Sequence, residues 1–172
     1  MPLLESIFKL KLVPKFRSGG KNGCYCIQTS KKDITSFFQE YGFKPGRKTD
    51  TVTIPSYIKE AGLSKRLAFV RGYFDTDGCL RFDNLNGQPH RYPKVEFASV
   101  SHAMIRDLSE LLTDMNFRNY IWSDRNSLKL CVAGNTMLHK WVAEVQPKNS
   151  KHLNKYQLFR KQGFVPSNAA VA

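Results

Sequence analysis

Asp75, Asp77 and Gly78 end the segment FVRGYFDTDG at 69–78, and two carboxylates a residue apart are the chemistry-bearing feature of this chain. The residues before them predict a helix that starts from Ser64 as N-cap and continues through Lys65, Arg66 and Leu67. Carboxylates in the last turn oppose the negative end of the helix dipole, at about 0.3–1 kcal/mol each when exposed. A residue choice that works against its local structure marks a candidate functional site. On the same helix Ala68, Gly72 and Thr76 fall at i, i+4 and i+8, so small side chains stack on one face and let another backbone approach. Phe69, Val70, Tyr73 and Phe74 flank that stripe and are available to a core. A second helix of this kind packed on the stripe would bring two acid-tipped ends together. Like charges that close require a proton or a cation between them.

An AspGly pair alone is an ordinary turn signal. In context, residues 70–78 resemble the nine-residue signature of the LAGLIDADG homing endonucleases. Gly72, Asp75, Asp77 and Gly78 match it outright, and Val70, Tyr73 and Phe74 match in apolar character. Arg71 stands where Ala is usual, and Thr76 replaces another small residue. VEFASVSHAMIRDLSELLTDMNF also resembles the family's strand-to-helix segment, with Asn116 in place of the usual Gly.

The resemblance covers about 64–162 and implies an α+β fold, an αββαββα unit with a saddle-shaped antiparallel sheet. Before it, YGFKPG and VTIPSYI resemble the second half of a preceding repeat, although no signature helix precedes them. The expected organisation is an extra ββα segment at 1–62, the repeat at 63–165 and a tail at 166–172. The resemblance further implies metal-dependent cleavage of both strands of DNA, with Mg²⁺ or Mn²⁺ held by Asp77 and Asp75 kept for helix termination and the interface. With one signature helix, a homodimer through Ala68, Gly72 and Thr76 is the simplest way to complete such a site. The family's lysine near the scissile phosphate corresponds to the region VQPKNSKHLNKY, where Lys151 is the first candidate and Lys148 the second. Ser101 stands where the family carries a polar site residue at a strand end.

The elements that must position these groups alternate along the chain. IFKLKLV at 7–13 has period-two alternation and reads as a strand, paired across the RSGGKNG loop with CYCIQT at 24–29. Ser30 is expected to cap a helix to Tyr41 that Gly42 stops, and residues 43–63 read as a connector with one short strand or helical turn. After the signature helix, strands at 79–84 and 92–100 flank an NGQPHR turn. A helix at 101–115 buries Ile105, Leu108, Leu111, Leu112 and Met115. Strands at 119–123 and 127–134 follow, then helices at 135–145 and 151–162. A two-stranded ribbon fits the DNA major groove and offers alternate side chains to base edges. Counting by two from Asp77 places Arg81 and Asp83 on one face, with Tyr92, Lys94 and Glu96 on the next strand and Arg125 and Lys129 on the second pair.

Lys and Arg number 27 against 14 acids, a formal net charge of +13 that favours a polyanionic partner such as double-stranded DNA. No apolar run is long enough to span a membrane, and no secretory leader is recognisable, so an intracellular site is expected. Cys24, Cys26, Cys79 and Cys131 have no zinc-quartet spacing and read as reduced thiols in a reducing compartment, cytoplasm or organelle matrix. A self-splicing intein is disfavoured because the chain has no N-terminal Cys or Ser nucleophile and no C-terminal HisAsn. The alternative to a nuclease is a non-catalytic DNA- or RNA-binding relative, such as an intron RNA maturase.

Overall fold

A computed structural model describes residues 2–9, 11, 13–17, 24–26, 31–43 and 49–166. The chain divides into two compact units, Met1–Gly46 and Arg47–Ala172.

The first unit holds α1 (Pro2–Phe8), the antiparallel pair β1 (Lys15–Arg17) and β2 (Cys24–Cys26), and α2 (Lys32–Glu40). Among its described residues the strand expected at 7–13 is not formed; its first residues end α1 instead. Pro2 opens this helix where its missing N–H has no partner to lose, and the Phe8 ring packs 5.1 Å from Phe37 and 5.9 Å from Phe38. A short alternation yields to that aromatic packing. Lys15 pairs with Cys26, so the expected hairpin exists with a later first strand. The N-cap of α2 is Lys31, without a side-chain cap bond, and not Ser30 as expected; residues 27–29 of the expected strand and most of the intervening loop lie outside the described residues. Gly42 does stop α2, at φ 84°.

The second unit comprises α3 (Ser56–Lys59), α4 (Leu63–Asp77), β3 (Cys79–Leu85), β4 (Gln88–Ser99), α5 (His102–Asp114), β5 (Tyr120–Asp124), β6 (Ser127–Ala133), α6 (Asn135–Glu144) and α7 (Ser150–Gln162). Residues 49–62, grouped with the N-terminal segment by sequence, pack here. Ile54 and Ile58 are buried in its core, the Ile54 N–H donates to Asp107 at 3.0 Å, and Lys59 pairs with the same carboxylate. The four strands form one antiparallel sheet in the order β3-β4-β6-β5.

Period-two alternation decides which way each strand faces. Leu80, Phe82, Val95, Phe97, Leu128, Leu130 and Val132 belong to the core, together with Val70 and Phe74 of α4, the apolar face of α5, Trp141 of α6 and Phe159 of α7. Helices therefore cover one face of the sheet, while the alternate residues form the other. Asn116 takes φ 60° after α5, a left-handed position that Asn tolerates in place of Gly. The β3–β4 turn is tighter than the sequence pattern suggests. Asn86 and Gly87, both at positive φ, make the turn, and β4 begins at Gln88 with an irregularity in register.

Candidate functional site

The signature helix α4 starts one residue before Ser64. Gly62 is its N-cap, so Ser64 lies in the first turn and does not cap. The end falls where expected, at Asp77, and the reason for Gly78 is steric. A Cβ at that position would strike the Phe74 ring and come within 2.7 Å of the Phe74 carbonyl oxygen. Val70 and Phe74 are buried against the core, whereas Ala68, Gly72 and Thr76 are exposed, and a Cβ built on Gly72 meets nothing within 4 Å. The stripe is thus open along its length. Arg71, the bulky departure from the signature, turns back into its own unit and donates from Nε to the Val145 carbonyl at 2.6 Å.

The two acids of the last turn have different surroundings. Asp75 accepts backbone N–H bonds from Lys148 at 2.9 Å and Asn149 at 3.1 Å, and its carbonyl accepts from the Asn149 amide at 2.8 Å. Asn149 in turn caps α7 by accepting from the Lys151 N–H at 3.0 Å. Asp75 therefore ties the end of α4 to the start of α7 within one subunit, and its hydrogen bonds do not reach toward the open stripe. Asp77 is exposed, and the Thr76 hydroxyl lies 3.0 Å from its Oδ2. Asp77 and Lys151 each lie two residues from the Asp75–Asn149 junction, and both are exposed to solvent. Lys148 shares that junction through its backbone, leaving its side chain in solvent. Ser101 is not available to a site. It is fully buried, caps α5 and donates from Oγ to the Val52 carbonyl at 2.5 Å.

His152, which the sequence pattern does not single out, sits beneath this junction. Its ring is 3 % exposed, lies 4.4 Å from the Phe74 ring and leaves Nδ1 without a partner. Burial pushes the imidazole below its ordinary value of 6.5, and the nearby Lys151 and Lys155 charges add to this, against an opposing effect from Asp75. The unfolded chain then binds more protons than the native one below 6.5, so stability is lost as pH falls from 6.5 toward the lower native value. The maximum slope is about 1.4 kcal/mol per pH unit. Denaturant midpoints measured across this range should fall with pH in the native sequence and flatten in His152→Phe.

Six of the eight residues picked as base-reading or phosphate-contacting candidates share the uncovered sheet face. Strand register sets Arg81 opposite Lys94, Asp83 opposite Tyr92, and Glu96 between Cys79 and Cys131, with Lys129 opposite Trp122. Arg125 is exposed in the β5–β6 turn at φ 54°, and Lys148 belongs to the α4–α7 junction. The face residues form one continuous ion-pair chain. Lys94 meets Asp83 at 2.6 Å, Asp83 meets Arg81 at 2.8 Å and Arg81 meets Glu96 at 3.2 Å. Glu96 lies 3.9 Å from Lys129, which pairs with Asp124 at 2.6 Å. Burial alone would raise the Asp83 carboxyl, but hydrogen bonds from Lys94 and Arg81 outweigh it and hold it low. Hydrogen bonding to Asp83 and to Asp124 holds Lys94 and Lys129, respectively, high. Asp124, Tyr120 and Trp122 complete the face and were missed in the sequence. Their signal was the alternation in YIWSD, continuing the Lys129 side across the hairpin.

Residues 64–144 match the family description of the LAGLIDADG-like domain. This segment is similar to a LAGLIDADG-like domain. The chain also has the fold of LAGLIDADG homing endonucleases. It resembles the crystal structure of I-DmoI in complex with DNA and Mn, with a TM-score of 0.57 and 15% identity over 86% of this chain and 70% of that one. A glycine-to-serine variant of I-DmoI, in complex with its target DNA in the presence of Mg, superposes equally well at 15% identity and the same coverage. Mesophilic variants of the homing endonuclease I-DmoI match with a TM-score of 0.56 and 16% identity, over 84% of this chain and 68% of theirs. No curated protein matches the chain. Within the matched segment, Asp77 is the exposed carboxylate and Asp75 the internally bonded one.

The donor set around Asp77 bears on metal binding. Among the described residues no three His, Cys, Asp or Glu gather into a metal site. One exposed carboxylate per helix end fits a hard cation that keeps several waters and shares phosphate oxygens; a closed protein cage would need more ligands. Among the described residues no helix is long and apolar enough to cross a membrane.

Proposed function

We propose that this protein is a site-specific, Mg²⁺- or Mn²⁺-dependent double-strand DNA endonuclease that works as a homodimer through α4. The observation that carries the reading is the open Ala68/Gly72/Thr76 stripe ending in solvent-exposed Asp77. Packing two such helices would bring two Asp77 carboxylates together as candidate metal ligands, leaving Asp75 to hold each helix end to its own α7. A cation bound there supplies an activated water and charge neutralisation at the leaving oxygen. Lys151 is the candidate for stabilising charge at the phosphate, with Lys148 next in line. Arg81, Asp83, Tyr92, Lys94, Glu96 and Lys129 are assigned to the major groove, and Arg125 to its edge. The net charge of +13 and the DNA complexes of the similar I-DmoI structures support DNA as partner. An intracellular, reducing compartment belongs to the same reading, as does a gene within an intron or free-standing.

A second reading, a non-catalytic nucleic-acid binder such as an RNA maturase, is favoured by one observation. The position where a polar site residue is expected holds Ser101, which is buried and committed to capping α5. Incubating the protein with a randomised duplex library in Mg²⁺ or Mn²⁺ separates the two. Recovered cut ends that disappear with chelator support the nuclease; retention of RNA without any cut DNA supports the binder. Gly72→Leu tests the dimer. The isolated subunit has room for the side chain, and leaving Gly in a helix costs about 0.5–1 kcal/mol relative to Ala. The variant should therefore fold at least as well and sediment as a monomer on DNA where the native chain sediments as a dimer.

A further inference from the structure

Arg81 differs from the other cations of the sheet face in being gripped by one carboxylate through two hydrogen bonds. Its Nε donates to Asp83 Oδ1 at 2.9 Å and its Nη2 to Asp83 Oδ2 at 3.0 Å, a two-pronged contact along one edge of the guanidinium. Glu96 Oε2 lies 3.2 Å from Nη1 on the remaining side. Both braces are themselves fixed. Asp83 is held by Lys94, and Glu96 is 9 % exposed in the middle of the sheet with no aligned hydrogen bond at Oε2. The Arg81 side chain is nevertheless 41% exposed.

A guanidinium offers five N–H groups in a rigid plane. Asp83 occupies the edge shared by Nε and Nη2, and Glu96 lies against Nη1 as a charge without an aligned hydrogen bond, so the terminal edge shared by Nη1 and Nη2 is the one offered to a ligand. Two parallel donors at that spacing match the O6 and N7 acceptors of guanine in the major groove. Adenine presents one acceptor beside a donor there, and cytosine presents a donor. The flanking carboxylates also repel phosphate, which keeps this arginine for base edges and leaves the backbone to other cations. Lys94 and Lys129, as point charges on flexible stems, offer no such paired geometry.

We propose that Arg81 is the guanine-reading side chain of the sheet face and that Asp83 is its positioning residue; this rests on the reading of that face as a DNA-binding surface.

The test is selection of bound sequences from randomised duplex DNA, using the full chain in Ca²⁺. Native protein, Arg81→Ala, Arg81→Lys and Asp83→Asn are compared, with thermal midpoints measured alongside. The native chain should select a site containing a fixed guanine whose preference falls roughly 10–100-fold in Arg81→Ala, with the other positions unchanged. Arg81→Lys should not restore it, because a single ammonium lacks the fork. Asp83→Asn should relax the same position with little change in thermal midpoint. Loss of affinity spread evenly over all positions, or an unchanged guanine in both Arg81 variants, overturns the guanine assignment. An unchanged profile in Asp83→Asn overturns the positioning role. If the native chain enriches no DNA sequence at all, the DNA reading itself fails and this assignment with it.

Discussion

Asp77→Asn is expected to lower DNA cleavage by on the order of 10³-fold while folding and DNA binding persist. Asn keeps the shape of the side chain and removes the charge that a hard cation needs. The site is permissive for this change because Asp77 is exposed and its one described side-chain contact is the Thr76 hydroxyl. That hydroxyl can also donate to the Gly72 or Tyr73 carbonyl, so the helix end retains its bonds. Asp75→Asn makes the contrast. Its carboxylate accepts the Lys148 and Asn149 backbone N–H groups, so neutralising it should loosen the α4–α7 junction and show in stability as well as in rate. Single-turnover cleavage and denaturant midpoints on the two variants decide the matter. Intact cleavage in Asp77→Asn would remove that residue from the active site whatever the fold.

Trp141→Ala is expected to destabilise the second unit by about 3–5 kcal/mol. The indole is 1% exposed and lies among Phe74, Phe97 and Phe117, with ring centroids 5.3, 5.9 and 5.3 Å away. Deleting it leaves a cavity at the point where α4, β4 and α6 meet. Against a typical total of about 5–15 kcal/mol, that loss is a large share of the stability. Trp141→Phe should cost less than about 1.5 kcal/mol, because most of the ring volume remains. The indole N–H has no hydrogen-bond partner to lose. Chemical denaturation followed by circular dichroism measures both variants, and equal destabilisation by Ala and Phe would contradict this account.

The parts of the fold legible in sequence are those where one local rule acts without competition. The apolar face of α5 follows helical spacing, and every residue assigned to it is buried. The ribbon face around Arg81, Asp83, Lys94 and Glu96 follows from strand alternation counted out from Asp77, because each one-residue step reverses the side. Where tertiary contacts decide, sequence pattern fails. Residues 7–13 alternate like a strand, yet Ile7 and Phe8 end a helix, with Phe8 packed against Phe37 and Phe38. Ser64 has the chemistry of a cap, but the chain enters α4 at Gly62. The candidate site was legible in its charged tip and small stripe, which are consecutive in sequence. The bond from Asp75 to Lys148 and Asn149 joins residues more than seventy positions apart, and no local pattern announces it. His152, packed on Phe74, was hidden for the same reason, whereas the ion-pair partner Asp124 had its signal in the alternation of YIWSD.

The chain of pairs from Lys94 to Asp124 holds as many cations as carboxylates, so the surplus of +13 lies elsewhere in the protein. On the proposed DNA-binding reading, attraction and discrimination would be carried by separate parts of the molecule. Rising ionic strength would shorten the stay on any duplex by screening those outlying charges. On the same reading, the choice among sequences would rest on a self-neutral patch and would change little.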